Sequence, residues 1–319
     1  MANLSDDTDN GRSELKPRSM LTVGYPDARP DFTTGAVDLH VHSGPDAIDR
    51  IGTSIDIARV GAELGMRAIV LKDHLFPSYT KAVLTDQAVE GIRVFGGITM
   101  NSTSGGISPR SVSAALAGGA RVVMFPTFDG IRYLEKPDRG AIQIAHSFGF
   151  DIEPVFAAKD GKVLPETEDV LRVVADHPTA LLSAGHLGPE EAIPIMKRAE
   201  ELGIRNKVIE HPNSSNWWSD DDYKQLIDAG TSFNMSYNPY QPIMGRRNFD
   251  ELLELIGKVG PENCTLITDG GQPYNPMPAV TLHVMCEMLY FQGMSIEDIT
   301  TVTKTRPAAL LSLDADVND

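Results

Sequence analysis

Short apolar runs that end in polar residues recur along the chain from about residue 36. They are AVDLHVH (36–42), AIVLKDH (68–74), RVFGGITM (93–100), RVVMFPTF (121–128), TALLSAGHL (179–187), KVIEHPN (207–213), TSFNMSY (231–237) and CTLITDG (264–270). Near-continuous apolar runs of this length read as strands buried on both faces. Between them the apolar positions switch to a helical period. Ala192, Ile195, Met196, Ala199 and Leu202 share one helix face, Pro189 suits the first turn, Glu190 and Glu191 sit at the positive end of the dipole, and Gly203 suits the stop. Segment 54–65 repeats the logic, with Ser54 as cap, Ile57, Val60 and Leu64 facing inward, and Gly65 at the end.

Eight strand–helix repeats predict an α/β fold, a (β/α)8 TIM barrel with parallel strands covered on both faces. The alternative is an open doubly wound sheet, but no G-x-G-x-x-G turn follows the first strand to support it. The stretch DIEPVFAAKDGKVLP (151–165) also looks extended and is read as a hairpin inserted before the fifth barrel helix. Residues 1–30, rich in Ser, Asp, Asn and Pro, are expected to form a polar, mobile N-terminal arm, with the barrel occupying 31–319. The arm is a candidate contact for a homo-oligomer.

Charge narrows the partners. A formal net charge of −16 argues against nucleic acid or an anionic membrane surface, although a local cation can still hold an anionic small molecule. No apolar run of signal-peptide or membrane-span length is present, so a cytoplasmic location is expected. The two cysteines, Cys264 and Cys286, fall in a strand and a helix and read as buried free thiols.

Histidine placement carries the chemistry. Of eight histidines, five stand at the C-terminal ends of predicted strands: His40, His42, His74, His186 and His211. That end is where barrel sites are assembled. His146, His177 and His283 fall in or near helices and read as structural. His40 and His42, two apart on a strand, share a face. Imidazoles suit a borderline divalent ion, Zn2+ first, with Mn2+ or Fe2+ as alternatives and one or two ions per site.

Asp269 ends the last strand before Gly270 and Gly271. It is placed to take the proton of a metal-activated water, although Asp-Gly is also a common turn pair. Lys72, behind four apolar residues, is expected to be buried beside His74, where it would contact a substrate anion, bridge two metals as a carbamate, or pair with Asp73 or a neighbouring carboxylate. His186 and His211 are each a ligand or an orienter of a bound oxygen. Trp217, Trp218, Tyr237, Tyr240, Arg246 and Arg247, in the loops after strands six and seven, would wall a small-molecule pocket or form an oligomer contact.

The order of these motifs, DLHVH, AGH, IEHP and TDGG, resembles the amidohydrolase superfamily of metal-dependent barrel hydrolases, and KTRPAALLSL is similar to its closing helix. Within it, KDGKVLPETEDVL and LLSAGHLGPEEA resemble an uncharacterised amidohydrolase-related subfamily. The resemblance implies His40, His42, His186 and Asp269 as metal ligands, and His211 as a further ligand or a hydrogen-bonding catalytic residue. It departs at strand four, where RVVMFPTFD lacks the carboxylated lysine of many two-metal members. KDH also resembles the Asp-His motif of the polymerase-and-histidinol-phosphatase family. The expected activity is hydrolysis of a C–N or C–O bond. Alternatives are a decarboxylase, a phosphoesterase and, last, a non-enzymatic metal-binding protein.

Overall fold

The computed structural model describes residues 30–130, 154–241 and 247–314. Its strands are β1 (Val37–Val41), β2 (Ala68–Leu71), β3 in two segments (Arg93–Phe95 and Gly97–Thr99), β4 (Val122–Met124), β5 (Leu181–Ser183), β6 (Lys207–Glu210), β7 (Ser232–Ser236) and β8 (Cys264–Ile267). Each pairs in parallel with the next in the chain. At the seam between β8 and β1, Asp269 N–H donates to the His40 carbonyl (3.1 Å) and His42 N–H to the Gly270 carbonyl (2.8 Å). Beneath it, the Asp38 carboxylate accepts the Thr268 hydroxyl at 2.5 Å. First and last strands are therefore joined, and the fold is the expected TIM barrel.

A helix follows each strand: α1 (Ser54–Glu63), α2 (Tyr79–Ala88), α3 (Pro109–Ala117), α4 (Pro165–Ala175), α5 (Pro189–Glu201), α6 (Asp220–Asp228), α7 (Asp250–Val259) and α8 (Pro278–Phe291). Proline opens α3, α4, α5 and α8, where its missing N–H costs nothing. The cap of α1 is Thr53 rather than Ser54. Thr53 and Asp56 bond reciprocally in a capping box, which Ser54 has no partner to form. Leu64 also departs from expectation, lying past the end of α1 and 37% exposed.

The inserted hairpin exists, as Ala158–Lys159 paired antiparallel with Lys162–Val163 around a left-handed Asp160-Gly161 turn. It leads into α4, between β4 and β5, and not into the fifth helix. Glu191, read as a helix-dipole partner, instead turns inward and accepts the Ala157 and Ala158 N–H groups, at 2.9 and 3.3 Å. It tethers the hairpin's base to α5.

The core has two parts. One lies between strands and helices. The other fills the barrel floor, where Val37, Ala68, Val122, Leu181 and Val208 meet Ala308, Leu310, Leu311 and Leu313 of the closing segment. Arg306 fastens that segment by donating to Ser232 Oγ at 2.6 and 2.9 Å. An apolar floor leaves the opposite, C-terminal rim for polar groups. Cys264 and Cys286 are buried free thiols. Among the described residues no helix is long and apolar enough to cross a membrane.

Gly185 shows how tightly the rim is set. Its φ is +58°, and a Cβ there would stand 2.1 Å from the Phe125 carbonyl oxygen. Gly185→Ala should therefore destabilise the fold by about 3 kcal/mol or more, through backbone strain and overpacking together. A lowered urea midpoint measures this. An unchanged midpoint would show that β4 and β5 give way freely.

Candidate metal centre

The rim gathers the residues that the strands deliver. His40 lies in β1 and His42 just beyond it, and their ring centroids are 5.2 Å apart. Asp269 arrives two residues after β8 with a left-handed backbone, φ +49°. Its Oδ1 is 3.1 Å from His42 Nε2 and 3.5 Å from His40 Nε2. One ligand atom from each of the three lies within 4.8 Å of the other two. His211 follows β6, also left-handed at φ +31°, and its Nε2 is 3.1 Å from His186 Nε2. That second pair adjoins the first, with 5.9 Å between the His40 and His211 rings. Non-glycine residues with positive φ are uncommon, and two of them here place backbone strain at the site.

His40 is prepared as a ligand. Its Nδ1–H donates to Glu210 Oε2 at 2.9 Å, which leaves the lone pair on Nε2. Nε2 is buried without a hydrogen-bond partner among the described residues. A carboxylate behind an imidazole is the usual support for a metal-bound histidine. Glu210 is itself held by Ser183 Oγ (2.8 Å) and Asn234 Nδ2 (3.1 Å). His42 differs. Arg50 donates to its Nδ1 at 3.2 Å, so the ring proton sits on Nε2 and faces Asp269. A cation there would displace that proton. The three donors, one imidazole with a free lone pair and one carboxylate among them, suit a divalent ion.

Burial sets the protonation. It holds the His42, His74 and His186 rings well below the usual histidine range, helped by Arg50, Lys72 and His211 respectively. His211 is brought down to about 4 by burial. Burial pushes Asp269 upward, but the His40 and His42 rings outweigh it and keep the carboxyl ionised. Lys72, brought down to about 8 by burial, lies with its Nζ 2.8 Å from His74 Nδ1. It does not pair with Asp73, whose carboxylate binds Lys81 at 2.7 Å.

The remaining expected residues divide. Trp217 and Trp218 line a cleft with His186, Glu210, His211 and Ser215. Its space is about 20 Å³, room for roughly one water. Tyr237 is half-buried after β7. Arg246 and His146 lie outside the described residues. His177 bonds the Val173 carbonyl and His283 sits on α8, consistent with structural roles.

Glu210, Arg50, Asp46 and Asn238 were not singled out from sequence. Asn238 Nδ2 donates to Asp269 Oδ2 at 3.1 Å. Asp46 holds Arg50 at 2.7 Å. Glu210 alone carried a signal: a carboxylate in an apolar strand must be paired.

Solved structures share this barrel. A phosphotriesterase from Mycobacterium tuberculosis is 16% identical over 89% of this chain and 95% of its own, with a TM-score of 0.53. A phosphotriesterase homology protein from Escherichia coli, complexed with phosphate in its active site, is 12% identical over 87% and 98%, at 0.54. An organophosphate-hydrolysing protein engineered from a weak promiscuous lactonase template is 15% identical over 89% and 98%, at 0.52. The chain thus shares the (β/α)8 barrel fold of these structures. A family model described as "Family of unknown function (DUF6282)" matches residues 35–234, and the chain belongs to that family. The matched span takes in His40, His42, His74, His186 and His211. No curated protein matches the chain in sequence.

Buried neutral imidazoles make the metal-stripped protein acid-sensitive. An unfolded histidine takes its proton near pH 6.5, whereas folded His211 resists until about pH 4. The unfolded state binds more protons in that window, so this group removes stability as pH falls through it. His211→Asn, which tolerates the left-handed backbone, should flatten stability against pH between about 6.5 and 4. Urea titrations at several pH values measure it, and an unchanged slope would show His211 to be protonated in the folded state.

Proposed function

We propose that this protein is a metal-dependent hydrolase acting on a C–N or C–O bond, such as an amide, cyclic amide, lactone or ester, of a small molecule. The observation that carries the reading is the convergence of His40, His42 and Asp269 at the C-terminal rim, with the buried His40 Nε2 accepting no hydrogen bond among the described residues. His40, His42 and Asp269 would hold a divalent ion, Zn2+ first by donor type, with His186 and His211 supplying further ligands or a second site. When bound, such an ion supplies Lewis acidity, acidifying water and polarising the bond under attack.

The chain's own groups supply the rest. Asp269 Oδ1 takes the proton of the attacking water and returns it to the leaving group. Asn238, on Oδ2, keeps the carboxylate oriented through that exchange. His211, neutral, donates a hydrogen bond to the oxygen on which charge develops, and His74 and Lys72 are the other donors within the cluster. Trp217, on the narrow cleft beside His186 and His211, and Tyr237, after β7, would contact the substrate's remaining atoms. The phosphotriesterase neighbours favour a second reading, attack at phosphorus by the same groups.

Asp269→Asn, assayed at saturating Zn2+ so that a weakened ligand is not what is read, should lose most turnover, about a hundredfold or more. Turnover is read on lactones, cyclic imides, amides and phosphoesters, with metal content by elemental analysis. Near-normal turnover in that variant would refute the assigned role, and absence of stoichiometric metal in the wild type would refute the reading itself. Glu210→Gln should weaken Zn2+ binding about 10- to 100-fold by depriving His40 Nδ1–H of its charged acceptor. Competition with a chelator measures it.

A further inference from the structure

Three cations cluster on the β1–β2 side of the rim, and two have their own counter-ions. Arg50 is paired with Asp46 and Lys81 with Asp73, each at 2.7 Å. Lys72 is only 3% exposed, yet among the described residues it forms no ion pair. Its ammonium rests against one imidazole, 2.8 Å from His74 Nδ1 and 3.2 Å from Nε2. The Asp269 and Glu210 carboxylates attract it from a distance, but no carboxylate touches it. A buried ammonium without an anion in contact is costly, and natural sites retain one where something else supplies that contact.

His74 is fixed to assist. Lys72 can only donate, and its Nζ lies nearest His74 Nδ1, at 2.8 Å, where Thr127 Oγ1 also stands at 3.1 Å. The His74 proton is thereby assigned to Nε2. The ring is clamped between Phe128 (centroids 4.0 Å apart) and His42 (5.0 Å), and its edge faces His186 at 5.9 Å. Lys72 and His74 therefore form a rigid pair of donors in direct contact with the metal-site histidines.

We propose that Lys72 and His74 form a subsite for an anionic group of the substrate, a carboxylate or a phosphoryl group, placed beside the bond to be cleaved. Substrates are then small organic anions and not neutral molecules. Against a chain of net charge −16, whose long-range field repels anions, a desolvated local cation is the means by which such a substrate is retained. The assignment rests on reading the His40, His42 and Asp269 cluster as the reaction centre.

The test is calorimetric titration of full-length protein with inorganic phosphate and, separately, with acetate, in zinc-loaded and metal-stripped forms. The wild type should bind at least one anion, and the one bound names the group as phosphoryl or carboxylate. Lys72→Met should weaken that binding about tenfold or more without loss of zinc and with a melting temperature equal to or above that of the wild type, and Lys72→Arg should recover part of the binding. Equal affinity in wild type and Lys72→Met, or no anion binding by the wild type, would overturn the proposal. So would loss of zinc in Lys72→Met, or an intact mass raised by one carbon dioxide, since the amine would then serve the metal. Because Lys72 dependence is also read in stripped protein, a failure of zinc binding would count against the hydrolase reading alone.

Discussion

Two backbone hydrogen bonds at the β1–β8 seam support everything at the rim. Asp269 N–H to the His40 carbonyl and His42 N–H to the Gly270 carbonyl join residues more than two hundred positions apart. The same residues that close the barrel carry the candidate ligands, so the act of closure sets the spacing of His40, His42 and Asp269. Gly271 must be glycine for this to hold, since a Cβ there would stand 2.0 Å from the His42 carbonyl oxygen. The buried Asp38–Thr268 contact lies directly beneath and keeps the two strands in register.

The electrostatics of the rim follow from burial more than from pairing. Burial keeps the imidazoles of His42, His74, His186 and His211 uncharged, and so able to act as ligands or hydrogen-bond donors. The carboxylates remain ionised against burial because imidazoles stand beside them: His40, with Ser183, at Glu210, and His40 and His42 at Asp269. Asn234 and Asn238 anchor the remaining oxygens. A dry set of neutral nitrogens and anchored carboxylate oxygens needs little rearrangement to receive a cation, except at His42, where Arg50 biases the proton toward the wrong nitrogen.

The barrel was legible in the sequence because its strands are nearly unbroken apolar runs whose last residues are polar, and that contrast also marked His40, His42, His74, His186, His211 and Asp269. What stayed hidden depends on which strands face one another. Glu210 reads as a polar strand end until β1 is seen to bring His40 against it. Arg50 sits in a loop whose path is held by Lys81 donating to the Ser43 and Pro45 carbonyls, a contact with no local signature. The cap of α1 was misplaced by one residue because Thr53 and Ser54 are both good caps, and only the spacing to Asp56 separates them. Glu191 obeyed the helix-dipole rule yet took a tertiary role.

His211 and Asp269 each hold a backbone shape that favours glycine, at a cost of order 1–3 kcal/mol apiece. An imidazole and a carboxylate where glycine would relax the chain set a trade-off between thermal robustness and function at two residues. Directed evolution toward hardier versions of this scaffold will find its easiest gains elsewhere, in surface loops and helix ends, and should leave these two kinks untouched.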